Sequence, residues 1–118
     1  MCPEEFDPLD AVVAAPRFHR VLLENDRVRV LDTIVQPGET VPLHTHRWPS
    51  VLYVLSWSNF VRRDADGRAT VDSRNSTPLA AGAALWSGPL PPHTLENVGN
   101  RELRVIAIEQ KQPPMTEQ

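Results

Sequence analysis

The chain has 118 residues, and its twelve lysines and arginines against fifteen aspartates and glutamates give a net charge of −3. This length suits one domain with its own hydrophobic core, and the acidic balance supplies no basic field of the kind that nucleic acids or anionic membranes attract. We therefore expect a single domain with neither of those partners. Cys2 is the only cysteine and cannot form an internal disulfide, and no apolar run approaches the roughly 18 residues of a membrane span, so a cytoplasmic location is expected.

Prolines divide the chain into short segments. There are twelve of them, about twice the usual frequency of roughly 5%, and they fall between short apolar runs. Residues 1–20 are expected to form an N-terminal arm, in which the apolar run from Leu9 to Ala15 holds at most a helical turn or two. The tail, 111–118, is polar and expected to be flexible. The folded domain is predicted to lie between them, over 21–110.

Short runs rich in β-branched and aromatic residues predict strands in this domain. The predicted strands cover residues 18–23, 27–35, 40–46, 50–57, 60–63, 68–73, 83–87 and 102–109. Pro37-Gly38 and Asp66-Gly67 provide turns between strands, and 88–92 is expected to be a stiff turn that delivers His93. With the extended segment 93–97 that follows this turn, about nine short strands and almost no helix predict an all-β fold, either a closed antiparallel sandwich or a small barrel.

His44 and His46, at the end of the strand predicted over 40–46, indicate a metal site. Side chains alternate between the two faces of a strand, so these two imidazoles project the same way and converge on one point. A third ligand has to come from elsewhere in the chain. His93, which follows a proline-rich turn, is the candidate.

The two histidine segments resemble the two motifs of the cupin family, which are small jelly-roll barrels also described as double-stranded β-helices. The matching positions are Gly38, His44 and His46 in the first motif and Gly82, His93 and Asn97 in the second. The resemblance implies a cupin barrel over 21–110, with His44, His46 and His93 as the metal ligands.

The chain also departs from both motifs. Ser50 stands where the first motif has a glutamate that ordinarily joins the histidines as a ligand, and Trp57 stands in place of its closing glycine. In the second motif Gly88 stands in the proline position and Leu90 in the glycine position, with prolines nearby to stiffen the same turn. We infer a charge-neutral face made of three imidazoles.

A face of three neutral imidazoles limits the choice of cofactor. Neutral imidazoles suit iron, zinc, nickel and copper, so a divalent transition metal is expected, although the residues do not fix which one. Three protein ligands leave a coordination position open, which is the usual condition for catalysis or ligand capture. Without a carboxylate ligand the ion keeps its full charge, and this favours an anionic ligand.

Aromatic residues and an arginine are the candidates for a substrate pocket: Tyr53, Trp48, Trp57, Trp86 and Arg62. The aromatic side chains can wall an apolar pocket, fill the core or form a dimer interface. Arg62 can hold a substrate carboxylate or remain solvated on the surface.

Three further polar residues have weaker assignments. Asn97 and Ser50 are candidates for groups that orient the metal ligands from behind. For Asn97 the alternative is a hydrogen bond to its own backbone near a turn. His19 fits no ligand position of the motifs and is expected to be a polar surface or core residue. The sequence assigns a catalytic role to no residue.

Two classes of function remain open. Three-histidine iron sites occur in cupin dioxygenases, so the resemblance permits an oxygen-dependent enzyme acting on a small anionic organic molecule. The alternative is a non-catalytic barrel that binds a sugar or metabolite or serves as an interaction module. Small cupin barrels often pair, so the resemblance also implies a homodimer, with the contact supplied by the N-terminal arm or by exposed strand edges.

Overall fold

The structure, a computed structural model, describes residues 7–111, which contain nine strands in two antiparallel sheets. The strands are β1 (His19–Glu24), β2 (Val28–Val35), β3 (Thr40–His46), β4 (Ser50–Ser56), β5 (Phe60–Asp64), β6 (Ala69–Asp72), β7 (Ala84–Ser87), β8 (Leu90–Asn97) and β9 (Leu103–Gln110). A short helix, α1 (Ala11–Ala14), precedes β1, and a 3₁₀ turn (Ser73–Asn75) follows β6. One sheet has the order β1-β2-β9-β4-β7 and the other has the order β3-β8-β5-β6. The predicted all-β fold is confirmed.

The strands form where β-branched and aromatic residues predict them. β1 and β2 pair as the first predicted hairpin, with His19 opposite Thr33. β5 and β6 pair as the second, around Gly67, whose φ of 87° is the left-handed conformation that favours glycine. Within 7–111, no helix has the length and apolar character needed to cross a bilayer. Cys2 and residues 112–118, the greater part of the predicted flexible tail, lie outside the described residues.

The prolines before His93 lie inside a strand, which corrects the turn predicted over 88–92. β8 begins at Leu90 and continues through Pro91 and Pro92 to His93. Opposite it on β3, His44 faces His93 and His46 faces Leu90, so three residue steps on β8 match two on β3. This mismatch is a bulge, and the extra residue of a bulge needs no ladder hydrogen bond. Prolines, which lack the N–H that such a bond requires, are therefore accommodated there.

The strand that carries the other two histidines has a matching irregularity. Val41 faces Leu95 and His44 faces His93, so three steps on β3 now match two on β8. Pro42 lies within this second bulge, and β3 is an edge strand of its sheet. Both strands of the histidine pair are thus bent at a proline immediately before the histidine-bearing positions.

The N-terminal segment packs against the barrel over its described part. Ala15, Phe18, Val35, Val41 and Leu103 form one buried cluster, so the segment contributes two of its five core residues. The backbone N–H of Thr45 also donates to the carbonyl of Leu9, at 2.6 Å. The boundary predicted at residue 20 accordingly falls inside β1.

Asn97 fastens the end of β8 to the connection that follows it. Its side chain is fully buried, and its amide nitrogen donates to the carbonyls of Val35 and Arg101, both at 2.8 Å. Its amide oxygen accepts from the hydroxyl of Ser58 at 2.8 Å and from the backbone N–H of Gly99 at 3.0 Å. One side chain therefore joins the end of β2, the β4–β5 connection and the β8–β9 connection, and two of its four hydrogen bonds are fully buried.

Replacement of Asn97 by alanine should destabilise the protein strongly. The Asn97→Ala change removes these hydrogen bonds and leaves their buried partners unsatisfied, so we expect the free energy of unfolding to fall by about 2–4 kcal/mol. Chemical denaturation measures the loss. Asn100→Ala is the matched control, because Asn100 lies in the same connection but is exposed. Equal stability of the two variants would contradict this account of Asn97.

Candidate metal centre

Four histidines from both sheets meet at one end of the barrel. Ligand nitrogens of His19, His44 and His46 all lie within 4.8 Å of one another. The ring of His93 lies 4.2 Å from that of His44 and 5.6 Å from that of His46, between centroids. His19, His44 and His93 are each at most 4% exposed. We call these four residues the histidine cluster.

Strand geometry brings the cluster together. His44 and His46 line the same cavity from alternate positions of β3, as the alternation predicts. His93 is the cross-strand partner of His44 on β8. The first residue of β1, His19, reaches the same place from the other sheet. The expectation that His19 is an ordinary surface or core residue is therefore corrected, because its buried ring stands in contact with those of His44 and His46.

Three of the four imidazoles are oriented by main-chain carbonyl groups. The Nδ1 atoms of His44 and His93 lie 2.7 Å from the carbonyl oxygens of Pro42 and Pro91. For His19 the corresponding acceptor is the carbonyl oxygen of Ala15, at 3.0 Å. Because a carbonyl oxygen only accepts, each of these bonds requires a proton on Nδ1 and leaves the lone pair on Nε2. This arrangement prepares the rings to bind a metal through Nε2.

The fourth imidazole is oriented by a carboxylate. Nδ1 of His46 lies 3.0 Å from Oε2 of Glu109, which is completely buried. Oε1 of Glu109 accepts from Nε of Arg29 at 2.6 Å, and the guanidinium of Arg29 donates to both oxygens of Asp10 at 2.9 and 3.1 Å. Burial acts to raise the pKa of Glu109, but hydrogen bonds from His46 and Arg29 outweigh it and hold that pKa below its usual value. Glu109 is therefore ionised at neutral pH.

The position of Glu109 changes the expectation of a site without a carboxylate. On β4, Ser50 has Glu109 of β9 as its cross-strand partner, and Glu109 in turn has Arg29 of β2 as its partner on the other side. Ser50 is buried and lines the cavity. The carboxylate that is missing from the position of Ser50 is thus present one strand away, behind His46 and not beside it. The cluster itself still consists of imidazoles alone.

Burial keeps most of the cluster neutral. It lowers the pKa of His44 to about 2, with further lowering from the neighbouring histidines, and it lowers the pKa values of His19 and His93 to about 4. Neutral imidazoles with free Nε2 lone pairs are what a first-row transition metal requires. The residues present therefore fit such an ion.

The cluster opens into an apolar cavity of about 180 Å³. Its lining includes the side chains of Val35, Leu52, Val54, Phe60, Leu95 and Val105, together with the predicted pocket residues Trp57 and Arg62. Apart from a few hydroxyl groups and the indole N–H of Trp57, the polar lining consists of the histidine cluster and Arg62. Small-molecule sites commonly combine apolar walls with a few polar groups in this way.

Three predicted pocket residues do not line this cavity, which corrects their assignment. Tyr53 lies between Leu52 and Val54, both of which face inward, so Tyr53 faces outward and is 42% exposed. Trp86 is 62% exposed for the same reason. The ring of Trp48 lies under the guanidinium groups of Arg29 and Arg47, at 5.0 and 4.4 Å, outside the cavity.

The residues that sequence reasoning missed continue the inward faces of strands. Glu109 shares the parity of Val105 and Ala107, which line the cavity on β9. Arg29 likewise continues the parity of Thr33 and Val35 on β2. The alternation of inward and outward side chains along these strands could therefore have identified both residues.

Asn97 does not contact the histidine cluster. Its side-chain amide bonds to the backbone of the β8–β9 connection, which agrees with the alternative of a hydrogen bond near a turn.

Comparisons with known proteins identify the fold. No protein-family model matches the chain, and no curated protein matches it either. Among solved structures, a cupin domain from Bordetella pertussis is similar with a TM-score of 0.66 and 21% identity, over 80% of this chain and 92% of that one. A protein with a double-stranded β-helix domain from Klebsiella pneumoniae gives a TM-score of 0.56 at 20% identity, over 79% of this chain and 75% of that one.

A third similar structure has a stated activity. It is the polyketide cyclase RemF from Streptomyces resistomycificus, with a TM-score of 0.53 and 22% identity, over 82% of this chain and 66% of that one. At such identities the likeness shows the fold alone. The chain has the cupin fold, a double-stranded β-helix or jelly-roll barrel, as the motif resemblance implied, and it carries a possible histidine metal site.

The buried carboxylate behind His46 gives a direct prediction for metal affinity. Glu109→Gln keeps the side-chain shape but replaces one acceptor oxygen by an NH₂ group, which then faces a donor of His46 or Arg29. We expect metal affinity to fall by about 10–100-fold, because such outer hydrogen bonds orient the ligand and raise its basicity. Titration against a competing chelator measures the change.

The control for this experiment is Glu24→Gln. The carboxylate of Glu24 is 43% exposed and pairs with Lys111, at the opposite end of β1 from His19. Circular dichroism establishes that both variants are folded. A folded Glu109→Gln protein with unchanged metal affinity would show that the carboxylate does not act on His46 in this way.

Proposed function

We propose that this protein is a metal-dependent enzyme that acts on a small anionic organic molecule inside the barrel. The observation that carries the proposal is the histidine cluster, in which each Nδ1 has an acceptor and each Nε2 is left for another partner. His44, His46 and His93 are the proposed metal ligands, as the motif resemblance implies, and His19 is a fourth candidate from its position.

The ion is proposed to be a divalent transition metal. Iron, zinc, nickel and copper all accept imidazole ligands. When bound, such an ion would supply Lewis acidity and, in the case of iron or copper, redox chemistry. A dioxygenase reaction is our proposal within this class, since three-histidine iron sites occur in cupin dioxygenases. The cyclase activity named for one similar structure makes a non-redox reaction the alternative for a zinc-bearing site.

The residues of the chain itself would prepare the site for an anionic ligand. Burial lowers the pKa values of His19, His44 and His93 and so holds them neutral, and the carbonyl acceptors fix which ring nitrogen carries the proton. The apolar walls limit water and lower the local dielectric constant, which strengthens attraction between a bound cation and an anion. Glu109 fixes His46 without occupying a coordination position.

We also propose a cytoplasmic homodimer that binds neither nucleic acid nor membrane. Val21, Leu22 and Leu23 lie on the edge strand β1 and are 38–51% exposed. Three adjacent apolar side chains on an unpaired edge favour contact with another strand. The net charge of −3 supports the absence of nucleic-acid and membrane partners. The lack of a disulfide framework in the sequence supports a cytoplasmic location.

Metal content tests the first part of the proposal. The purified protein should contain about one transition-metal ion per chain, and the His44→Ala, His46→Ala double variant should contain almost none, because two converging nitrogens are lost. Elemental analysis gives the stoichiometry. Thr40→Ala, at an exposed position of the same strand, should retain the metal. Growth with iron, zinc and nickel that yields metal-free protein, with no thermal shift on adding any of them, would refute the proposal.

Turnover tests the second part. Oxygen uptake by the metal-loaded protein should appear with a member of a panel of diketones, thiols and phenolic acids, and it should be absent in the double histidine variant. Ligand-dependent stabilisation without uptake of oxygen or loss of the ligand would favour the non-catalytic barrel, since binding alone raises the melting temperature.

A further inference from the structure

The cavity has a second polar group that the metal site does not explain. Arg62 projects from β5 into the cavity among Trp57, Phe60 and Leu95. Its Nε atom is buried and has no hydrogen-bond partner. Within 7–111, no carboxylate forms an ion pair with Arg62, whereas the next residue, Arg63, pairs with Glu96 at 2.9 Å.

A guanidinium without a counter-charge in this cavity destabilises the folded protein. Arg62 is only partly exposed, and partial removal of a charge from water is unfavourable unless a counter-charge compensates it. Burial accordingly lowers the pKa of Arg62, although an arginine remains charged at neutral pH. Arg62 and His93 line the same cavity, so the charge acts on the same space as the cluster. An anion in the cavity would relieve this cost.

The register gives the displacement of the Arg62 and His93 positions along the strands. Arg62 faces Leu95 across the β5–β8 pair, and Leu95 is two residues beyond His93 on β8. At about 3.3 Å per residue, the two positions are displaced by roughly 7 Å along the strand. A single six-membered ring with a substituent at each end is about this long.

The cavity volume sets a similar limit. A cavity of about 150 Å³ lined by apolar side chains accommodates benzene, and this one measures about 180 Å³. It therefore suits one ring or a short aliphatic chain.

We propose that Arg62 anchors the carboxylate of a monocyclic or short-chain organic acid whose opposite end carries an oxygen donor directed at the histidine cluster. This assignment rests on the proposed function and adds the class of substrate to it. The guanidinium offers a planar pair of donors that matches a carboxylate. The apolar walls between the two polar groups contact the ring or chain.

Matched ligands and variants test the assignment. The probes are 4-hydroxybenzoate and its neutral analogue 4-hydroxybenzamide, titrated calorimetrically into the metal-loaded protein. The acid should bind more tightly than the amide, and Arg62→Gln should weaken binding of the acid by about 10–100-fold, the range expected for a charge-assisted hydrogen bond. Binding of the amide should change little. Arg63→Gln, which removes the same charge on the outer face, should leave both affinities unchanged.

Two further measurements separate this proposal from the metal proposal. Arg62→Gln should retain the full metal content, so that loss of acid binding cannot be attributed to loss of the ion. Without a ligand, Arg62→Leu should have a higher melting temperature than the parent protein, because it removes a partly buried charge that has no counter-charge. Equal affinity for acid and amide, no effect of Arg62→Gln, or failure of the acid to bind to protein that contains metal would each overturn the role of Arg62 while leaving the metal site intact.

Discussion

A fully buried carboxylate, that of Glu109, is the constraint on which the centre of this molecule depends. It is compensated by Arg29 on one side and by His46 on the other, and Arg29 is itself compensated by Asp10. Loss of one partner from such a buried pair typically costs about 3–5 kcal/mol. The same contacts fix the N-terminal segment, the row of strands β2, β9 and β4, and the orientation of one imidazole. Stability and the geometry of the site therefore share one set of interactions.

The two prolines that precede the cluster act on it through the backbone. Pro42 and Pro91 lie in bulges of β3 and β8, and their carbonyl oxygens accept the Nδ1–H of the histidine two residues later. A regular ladder would commit its carbonyls to the neighbouring strand. At these bulges the register shifts, and a carbonyl is directed at a side chain of its own strand. The irregular parts of the sheet are thus the parts that orient the ligands.

The fold and three of the four cluster residues could be predicted. Short runs of β-forming residues predict the strands, alternation along the strand brings His44 and His46 together, and the motif resemblance adds His93. His44 and His46 needed only the period of a strand, whereas His19 joins them from another sheet, and no pattern within the chain specifies how two sheets face one another. Tyr53 and Trp86 were assigned to the pocket by residue type, although the parity of their neighbours places them outside. Whether Arg62 has a partner depends on packing across strands, which sequence alone does not give.

The histidine cluster is oriented by two kinds of hydrogen-bond acceptor, and mutation can change only one kind. Three of the four acceptors are carbonyl groups of the main chain, at residues 15, 42 and 91, and every amino acid carries that group. Point mutation cannot delete them while the backbone keeps its path. Only the acceptor of His46 is a side chain. Among the four orienting acceptors, the only one that a point mutation can replace while all four rings are retained is therefore the carboxylate of Glu109.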